Sequence, residues 1–344
     1  MKQFLKQNKG LIYILAATAA VVIVFAMSGE IPVIVHELSH LELRWVFLAG
    51  CAGVGYLLVR AATLYYYLRR RKQRIPFLRA MIVTGVGQFY SAITPSSSGG
   101  QPMQVFTMHK MGIPVADGTE TVLVKYLGFE AAFLILGAVL WGTHRTLVRE
   151  NLGGMIWLVL IGYLVNLGLM SLVFLSVAKT GAIVKLMDWL IDLGARFRLV
   201  HHPEKTKEWA KHQLTEYRAG MLALRSHPGS ALMILLFSFL QLLLLMSTGY
   251  CVYRAFGLND YGAGQVMTML FLLFIAAAFV PLPGAAGAQE GGFYLFFRGM
   301  IPESLIMPCL ACWRFFTYYL LLIMGFLCVV AEKLLDMRGE DDRR

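Results

Sequence analysis

Two residues of opposite charge stand in otherwise apolar stretches of this chain, and they set the chemistry to look for. Arg314 falls seven residues into the apolar run 308–331, and Glu290 falls in a Gly-rich interruption that precedes that run. An ionisable side chain at the centre of a spanning helix costs roughly 2.5–3.5 kcal/mol to insert on translocon scales, so each one demands a partner. Two arrangements satisfy that demand. In one, Glu290 holds Arg314 ready for a phosphate, whose oxygens match the two parallel donors of the guanidinium fork. In the other, the two form a permanent bridge that ties the interruption to the run. The residue types do not choose between them.

The interruption has a counterpart. One break reads Thr94-Pro95-Ser96-Ser97-Ser98-Gly99-Gly100-Gln101-Pro102, and the other Pro281-Leu282-Pro283-Gly284-Ala285-Ala286-Gly287-Ala288-Gln289-Glu290-Gly291-Gly292. They share a frame in which Pro95 falls on Pro283, Gly99 on Gly287 and Gln101 on Gln289. Irregular backbone at membrane depth persists only where protein or a water-filled cavity satisfies its polar groups. A pair of breaks at corresponding places in two halves points to a transporter's binding site. Gly99, Gly100, Gly284 and Gly287 have two readings: open backbone donors for an anion at half-helix N-termini, or close helix packing. Ser98 adds a hydroxyl, and Gln101 and Gln289 can serve either a headgroup or freed carbonyls. Arg60, eight residues short of the end of its run, is a further candidate for a headgroup path. Lys125 is expected to snorkel to the nearby membrane surface, and Glu130, deeper, ranks below Glu290.

Two further patterns compete. His36-Glu37-Leu38-Ser39-His40 fits H-E-x-x-H, which on a helix would aim two imidazoles at a zinc ion. No later residue stands at a recognisable spacing for a third ligand, so an interfacial helix is the expectation. Cys309-x-x-Cys312 has no second pair and lies in apolar sequence, so the five cysteines are expected to be ordinary thiols. The chain is read as binding no metal and no cofactor.

The elements that must position these residues are membrane spans. Hydrophobic residues make up 58% of the chain and charged ones 15%, against about 25% charged in a soluble globule. The formal net charge of +11 clusters beside apolar runs, which suits loops facing an anionic leaflet and not nucleic acid. Runs at residues 11–27, 45–68, 121–141, 155–178, 231–256 and 308–331 are long enough to span. Arg69-Arg70-Arg71-Lys72-Gln73-Arg74 places the following loop in the cytoplasm, and the basic amphipathic stretch 179–227 belongs there too. Residues 77–118 must then begin and end inside, folding as a re-entrant hairpin at the first break. Residues 265–300 dip from outside at the second. The predicted fold is all-α and polytopic, about six full transmembrane helices plus two re-entrant hairpins in an inverted repeat, with both termini cytoplasmic. As one membrane domain over residues 1–344 it divides into a first half 1–178, a linker 179–228, a second half 229–332 and a charged tail 333–344. Eight plain helices with kinks at the breaks are the alternative.

At this point the residues resemble a known family. The stretch from Ile93 to Gln104, with Lys110-x-Gly112 after it, looks like the first signature of the flippase-like family named for the transmembrane region of lysylphosphatidylglycerol synthase. Pro281 to Phe293 resembles the second, and Trp313-Arg314-Phe315-Phe316-Thr317-Tyr318-Tyr319 with Gly325 the third. The likeness departs at Ala285, where a second glycine is usual, and at Gln101, where many members carry Glu. It implies a bacterial cytoplasmic-membrane protein that moves a lipid with an anionic headgroup between leaflets. The aminoacyl-transferase domain of the full-length synthases would follow the last span; with thirteen residues after Ala331, no enzymatic activity is expected. A headgroup transferase, an H-E-x-x-H protease and a scaffold for envelope lipid synthesis are the competing classes. The oligomeric state is open, a homodimer included.

Overall fold

The computed structural model describes residues 41–196, 203–278, 280 and 282–341, and every regular element among them is helical. The expected span 11–27 and the His36–His40 motif lie outside the described residues. Five helices are long and apolar enough to cross a membrane: Leu43–Arg70, Val115–Thr143, Arg145–Leu175, Pro228–Ala255 and Glu303–Leu335. Each overlaps most of a run that hydropathy marks in the sequence. Two shorter apolar helices, Phe77–Ile93 and Ala263–Ala277, precede the breaks.

In chain order the helices are α1 (Leu43–Arg70), α2 (Phe77–Ile93), α3 (Gly100–Lys110), α4 (Val115–Thr143), α5 (Arg145–Leu152) and α6 (Ile156–Arg196), then α7 (Pro203–Ser226), α8 (Pro228–Ala255), α9 (Ala263–Ala277), α10 (Ala288–Phe297), α11 (Glu303–Arg314) and α12 (Leu320–Asp341). Their ends follow local chemistry. Arg69 and Arg70 close α1, where cations complement the helix dipole. Pro114 and Pro302 stand just before α4 and α11, and Pro228 opens α8, positions where a missing N–H costs nothing. Pro308, expected at the start of the last span, instead lies inside α11, because the helix begins five residues earlier at Glu303. A single π turn, Phe315–Tyr319, then joins α11 to α12. The basic stretch after the third long span continues α6 beyond a kink at Lys179 and returns as α7. Lys207–Asp192 at 2.7 Å and Lys211–Asp188 at 3.0 Å staple the two. The carboxylates of Asp192 and Glu204 raise the pKa of Lys207.

α2 and α3 pack on each other as a hairpin, and so do α9 and α10. The turns at their tips meet, and the second also touches α2. The tips are built alike. Thr94 and Leu282 are both extended (φ −109°, ψ 146° and φ −107°, ψ 150°). Ser96 and Gly284 are both left-handed (φ 51°, ψ 25° and φ 62°, ψ 17°), and Ser97 and Ala285 follow at φ 54° and φ 49°. The hydrogen bonds match as well: Ser97 to the Thr94 carbonyl and Ser98 to Pro95, against Ala285 to Leu282 and Ala286 to Pro283. The equivalence ends one residue later, where Ser98 turns helical (ψ −23°) and Ala286 stays extended (ψ 142°). Gly99 at φ −78° and Gly287 at φ 83° therefore differ, although the sequences align them.

Ala285 is the position where the resembling family usually has glycine. Left-handed backbone costs an L-residue roughly 1–2 kcal/mol, against about 0.5–1 kcal/mol of extra unfolded-chain entropy for glycine. Ala285→Gly is therefore expected to stabilise the protein by about 0.5–1 kcal/mol, read as a higher melting temperature in detergent. A lower one would show that the alanine methyl packs favourably enough to offset the strain.

The main core gathers on Trp313, Phe271, Tyr253 and Phe297, joining α8, α9, α10 and α11. It holds the second hairpin against the last span. α1 runs along α8, and α12 runs along α2, so the first hairpin is braced by the C-terminal helix.

Candidate functional site

Arg314 is 7% exposed and reaches into the second turn, where three of its five N–H donors find acceptors. Nε donates to Glu290 Oε1 at 2.7 Å, and Nη2 stands 2.5 Å from the same oxygen in the ion pair. Nη1 donates to Gln289 Oε1 at 2.8 Å, and Nη2 to the Gly284 carbonyl at 3.1 Å. The other carboxylate oxygen of Glu290 accepts the Gly287 N–H at 2.6 Å, capping α10. The guanidinium lies over the Tyr318 ring, 5.2 Å from its centroid, and the Tyr318 hydroxyl donates to the Ala92 carbonyl at the end of α2. One side chain thus ties the second turn, the head of α10 and, through Tyr318, the first hairpin. The π turn after Arg314 brings Thr317 and Tyr318 to the same side as the guanidinium, where both line one cavity.

That cavity encloses about 490 Å³ and runs between the two turns and the inner faces of α1, α4 and α8, within the range of about 300–1,000 Å³ found for ligand sites. Of the residues singled out in the sequence, Arg60, Gln101, Gly284, Gln289 and Arg314 line it. Glu290 stands behind Arg314 and does not reach the wall. Ser98 donates its hydroxyl to the Pro95 carbonyl and stays outside, while Ser96 and Ser97 face in. Gly99 and Gly287 are not open donors, since Thr94 Oγ1 takes the N–H of the first at 2.9 Å and Glu290 that of the second. Gly99 and Gly100 serve close packing: a methyl on Gly99 would meet Thr94, and one on Gly100 would meet Ser91 and come 2.6 Å from the Gly87 carbonyl oxygen.

The cavity also holds residues that the sequence reading passed over or ranked low. Lys125, expected to snorkel, points inward from α4, and its buried Nζ has no protein hydrogen-bond partner among the described residues. Glu130 lines the wall on the same helix with Tyr126 as its hydrogen-bond partner. Gln88, Gln104 and Gln241 converge there from α2, α3 and α8. Gln88 and Gln241 are amides inside apolar helices, and that isolation was the available signal; Gln104 lies in the more polar α3 and gave none. At the cytoplasm-side loop proposed from charge, Arg71 pairs with Asp117 at 2.7 Å, and this hydrogen bond raises the guanidinium pKa further. No cluster of three metal-ligating side chains occurs among the described residues.

Residues 11–325 match the family described as the lysylphosphatidylglycerol synthase transmembrane region. The chain is similar to a "UPF0104 membrane protein" of Archaeoglobus fulgidus, at 22% identity over 336 residues, covering 88% of this chain and 94% of that one. It is also similar to an "Uncharacterized protein MG306 homolog" of Mycoplasma pneumoniae, at 23% identity over 331 residues, covering 88% and 81%.

Proposed function

This chain belongs to the family of the lysylphosphatidylglycerol synthase transmembrane region, and from that membership we propose that it is a transporter moving a phospholipid or lipid-linked polar headgroup between leaflets of the cell membrane. The observation that carries the reading is the cavity where two like-built turns meet, walled by Arg60, Lys125 and Arg314 in the midst of apolar helices. Arg314 is paired with Glu290, but Arg60 and Lys125 have no carboxylate ion pair among the described residues, and two such cations on one cavity suit a ligand with an anionic headgroup.

The hairpins are read as re-entrant and oppositely inserted. α2 and α9, of 17 and 15 residues, are about 26 and 22 Å long at 1.5 Å per residue, short of a hydrocarbon core of about 30 Å. Their partners α3 and α10 are shorter still, at 11 and 10 residues. The shared turn conformation fits two copies of one ancestral unit, and the charge bias of the loops gives them opposite topology with both termini in the cytoplasm. The sequence carries no nucleotide-binding motif, so movement is passive or ion-coupled, and no catalysis is assigned to the chain.

Reconstitution tests this directly. Proteoliposomes carrying a headgroup-labelled phosphatidylglycerol are expected to expose the inner-leaflet label to a membrane-impermeant quencher within minutes. Quenching that stops at the outer-leaflet fraction, as in protein-free vesicles, would remove the transport reading.

A further inference from the structure

Resting on that reading of the cavity, we propose that Arg60 and Lys125, and not Arg314, seat the phosphate of the transported headgroup. Arg314 has little left to offer a ligand, since its Nε, Nη1 and Nη2 each donate to Glu290, Gln289 or Gly284 and its charge is paired with the Glu290 carboxylate. Arg60 is the reverse. Its Nη1 bonds to the Gln88 amide oxygen and to the Tyr56 hydroxyl at 3.3 Å, and the guanidinium lies over the Tyr56 ring. Both anchors are neutral, and they hold the group by one nitrogen. Among the described residues the Nε–Nη2 edge carries no protein hydrogen bond. That edge grips a phosphate with two parallel donors.

Lys125 supplies the second half of the seat. Its Nζ is buried at the cavity wall without a protein hydrogen-bond acceptor among the described residues, and Arg60 lines the same cavity. Among the described residues no carboxylate forms an ion pair with either cation. Glu130, the carboxylate on this wall, sits five residues along α4 from Lys125, on a different face of the helix, and is hydrogen-bonded to Tyr126. Two like charges facing one cavity among apolar helices disfavour the empty protein and favour an anion bridging them. A compact ammonium and a planar fork converging from α4 and α1 match a phosphate ester. The amides of Gln101 and Gln104 line the same cavity and can serve the glycerol or sugar hydroxyls beyond it.

Binding of a short-chain phosphatidylglycerol to the purified full chain in neutral detergent, at fixed ionic strength, reads the seat. Inorganic phosphate and a short-chain diacylglycerol serve as the other two probes. Lys125→Gln and Arg60→Gln are each expected to weaken the phospholipid at least tenfold, Lys125→Arg to retain most of the affinity, and the diacylglycerol not to bind. Because an unpaired ammonium is removed, Lys125→Gln should melt at or above the wild-type temperature without lipid. Wild-type affinity in both Gln variants, or a Lys125→Gln protein that melts well below wild type, overturns the seat. Inorganic phosphate binding as tightly as the phospholipid overturns its assignment to a lipid. Tenfold losses of binding in the variants, with no translocation by wild-type proteoliposomes, would keep the seat and sink the transport reading. Translocation by wild type with unchanged binding in the variants would do the opposite.

Discussion

Arg314→Ala is expected to cost on the order of 3–5 kcal/mol, the range for breaking a buried ion pair by removing one partner, and to abolish headgroup movement along with it. The loss would not stop at one bond. Glu290 keeps only its contact with the Gly287 N–H, the Gln289 amide and the Gly284 carbonyl lose their donor, and Tyr318 loses the cation above its ring. These groups belong to the second turn and the head of α10, so the turn itself loses its fastening. Glu290→Gln should be milder: Glu290 is more exposed than Arg314, and a glutamine oxygen can still accept from the guanidinium. Arg314→Lys keeps the charge beside Glu290 but cannot span to Gln289 and Gly284 together, so it should recover part of the stability and little of the turn's geometry. Melting in detergent for the single variants and for Arg314→Ala with Glu290→Ala gives the coupling through a double-mutant cycle. A coupling below about 0.5 kcal/mol, with Arg314→Ala melting like wild type, would mean that the core around Trp313 holds the turn unaided.

How far the sequence alone reaches is visible at particular residues. The five described spans carry their signature in composition, because lipid requires about 20 apolar residues in each and rewards no other pattern as strongly. The pairing of Arg314 with Glu290 was foreseen from cost alone, since two ionisable groups in greasy sequence have few other places to go. The like-built turns were legible in the Pro95/Pro283 frame, yet that frame wrongly equates Gly99 with Gly287. Alignment by residue type carries no information on ψ, and the paths split at Ser98 and Ala286. Lys125 was misread because its distance from the membrane surface was judged along the helix axis. Which way a side chain points is set by the neighbours that α4 meets, and those are tertiary facts. The π turn was invisible for a similar reason: nothing in Phe315-Phe316-Thr317-Tyr318-Tyr319 demands it, and it serves to bring Tyr318 beside Arg314. Gln88 and Gln241 could have been found by asking why an amide interrupts each apolar run, whereas Gln104 sits in a helix polar enough to hide it.

Gly325→Ala is the second change expected to have a large effect, and it tests the brace on the first hairpin without touching any cavity residue. A methyl at this position in α12 would come within 2.8 Å of the Gly85 carbonyl oxygen, 2.9 Å of the Phe89 backbone nitrogen and 3.0 Å of the Phe89 Cβ. Two of these three neighbours are backbone atoms of α2, so no side-chain rotation relieves the overlap. α2 and α12 must move apart, as expected where small residues let helices cross closely in a membrane. Overpacking of this kind costs about 1–3 kcal/mol. The displacement would reach the site along α2, whose end at Ala92 is held by the Tyr318 hydroxyl and leads straight into the first turn. Translocation should therefore fall by tenfold or more while phosphatidylglycerol binding at Arg60 and Lys125 falls less, because α1 and α4 carry those residues and only the Gln88 anchor of Arg60 lies on the displaced α2. Gly291→Ala is the control: no atom lies within 4 Å of the methyl it would add, and its cost should be small. Equal loss in Gly325→Ala and Gly291→Ala would show that glycine matters in this fold for flexibility in general, and that the close crossing of α2 and α12 does not brace the hairpin.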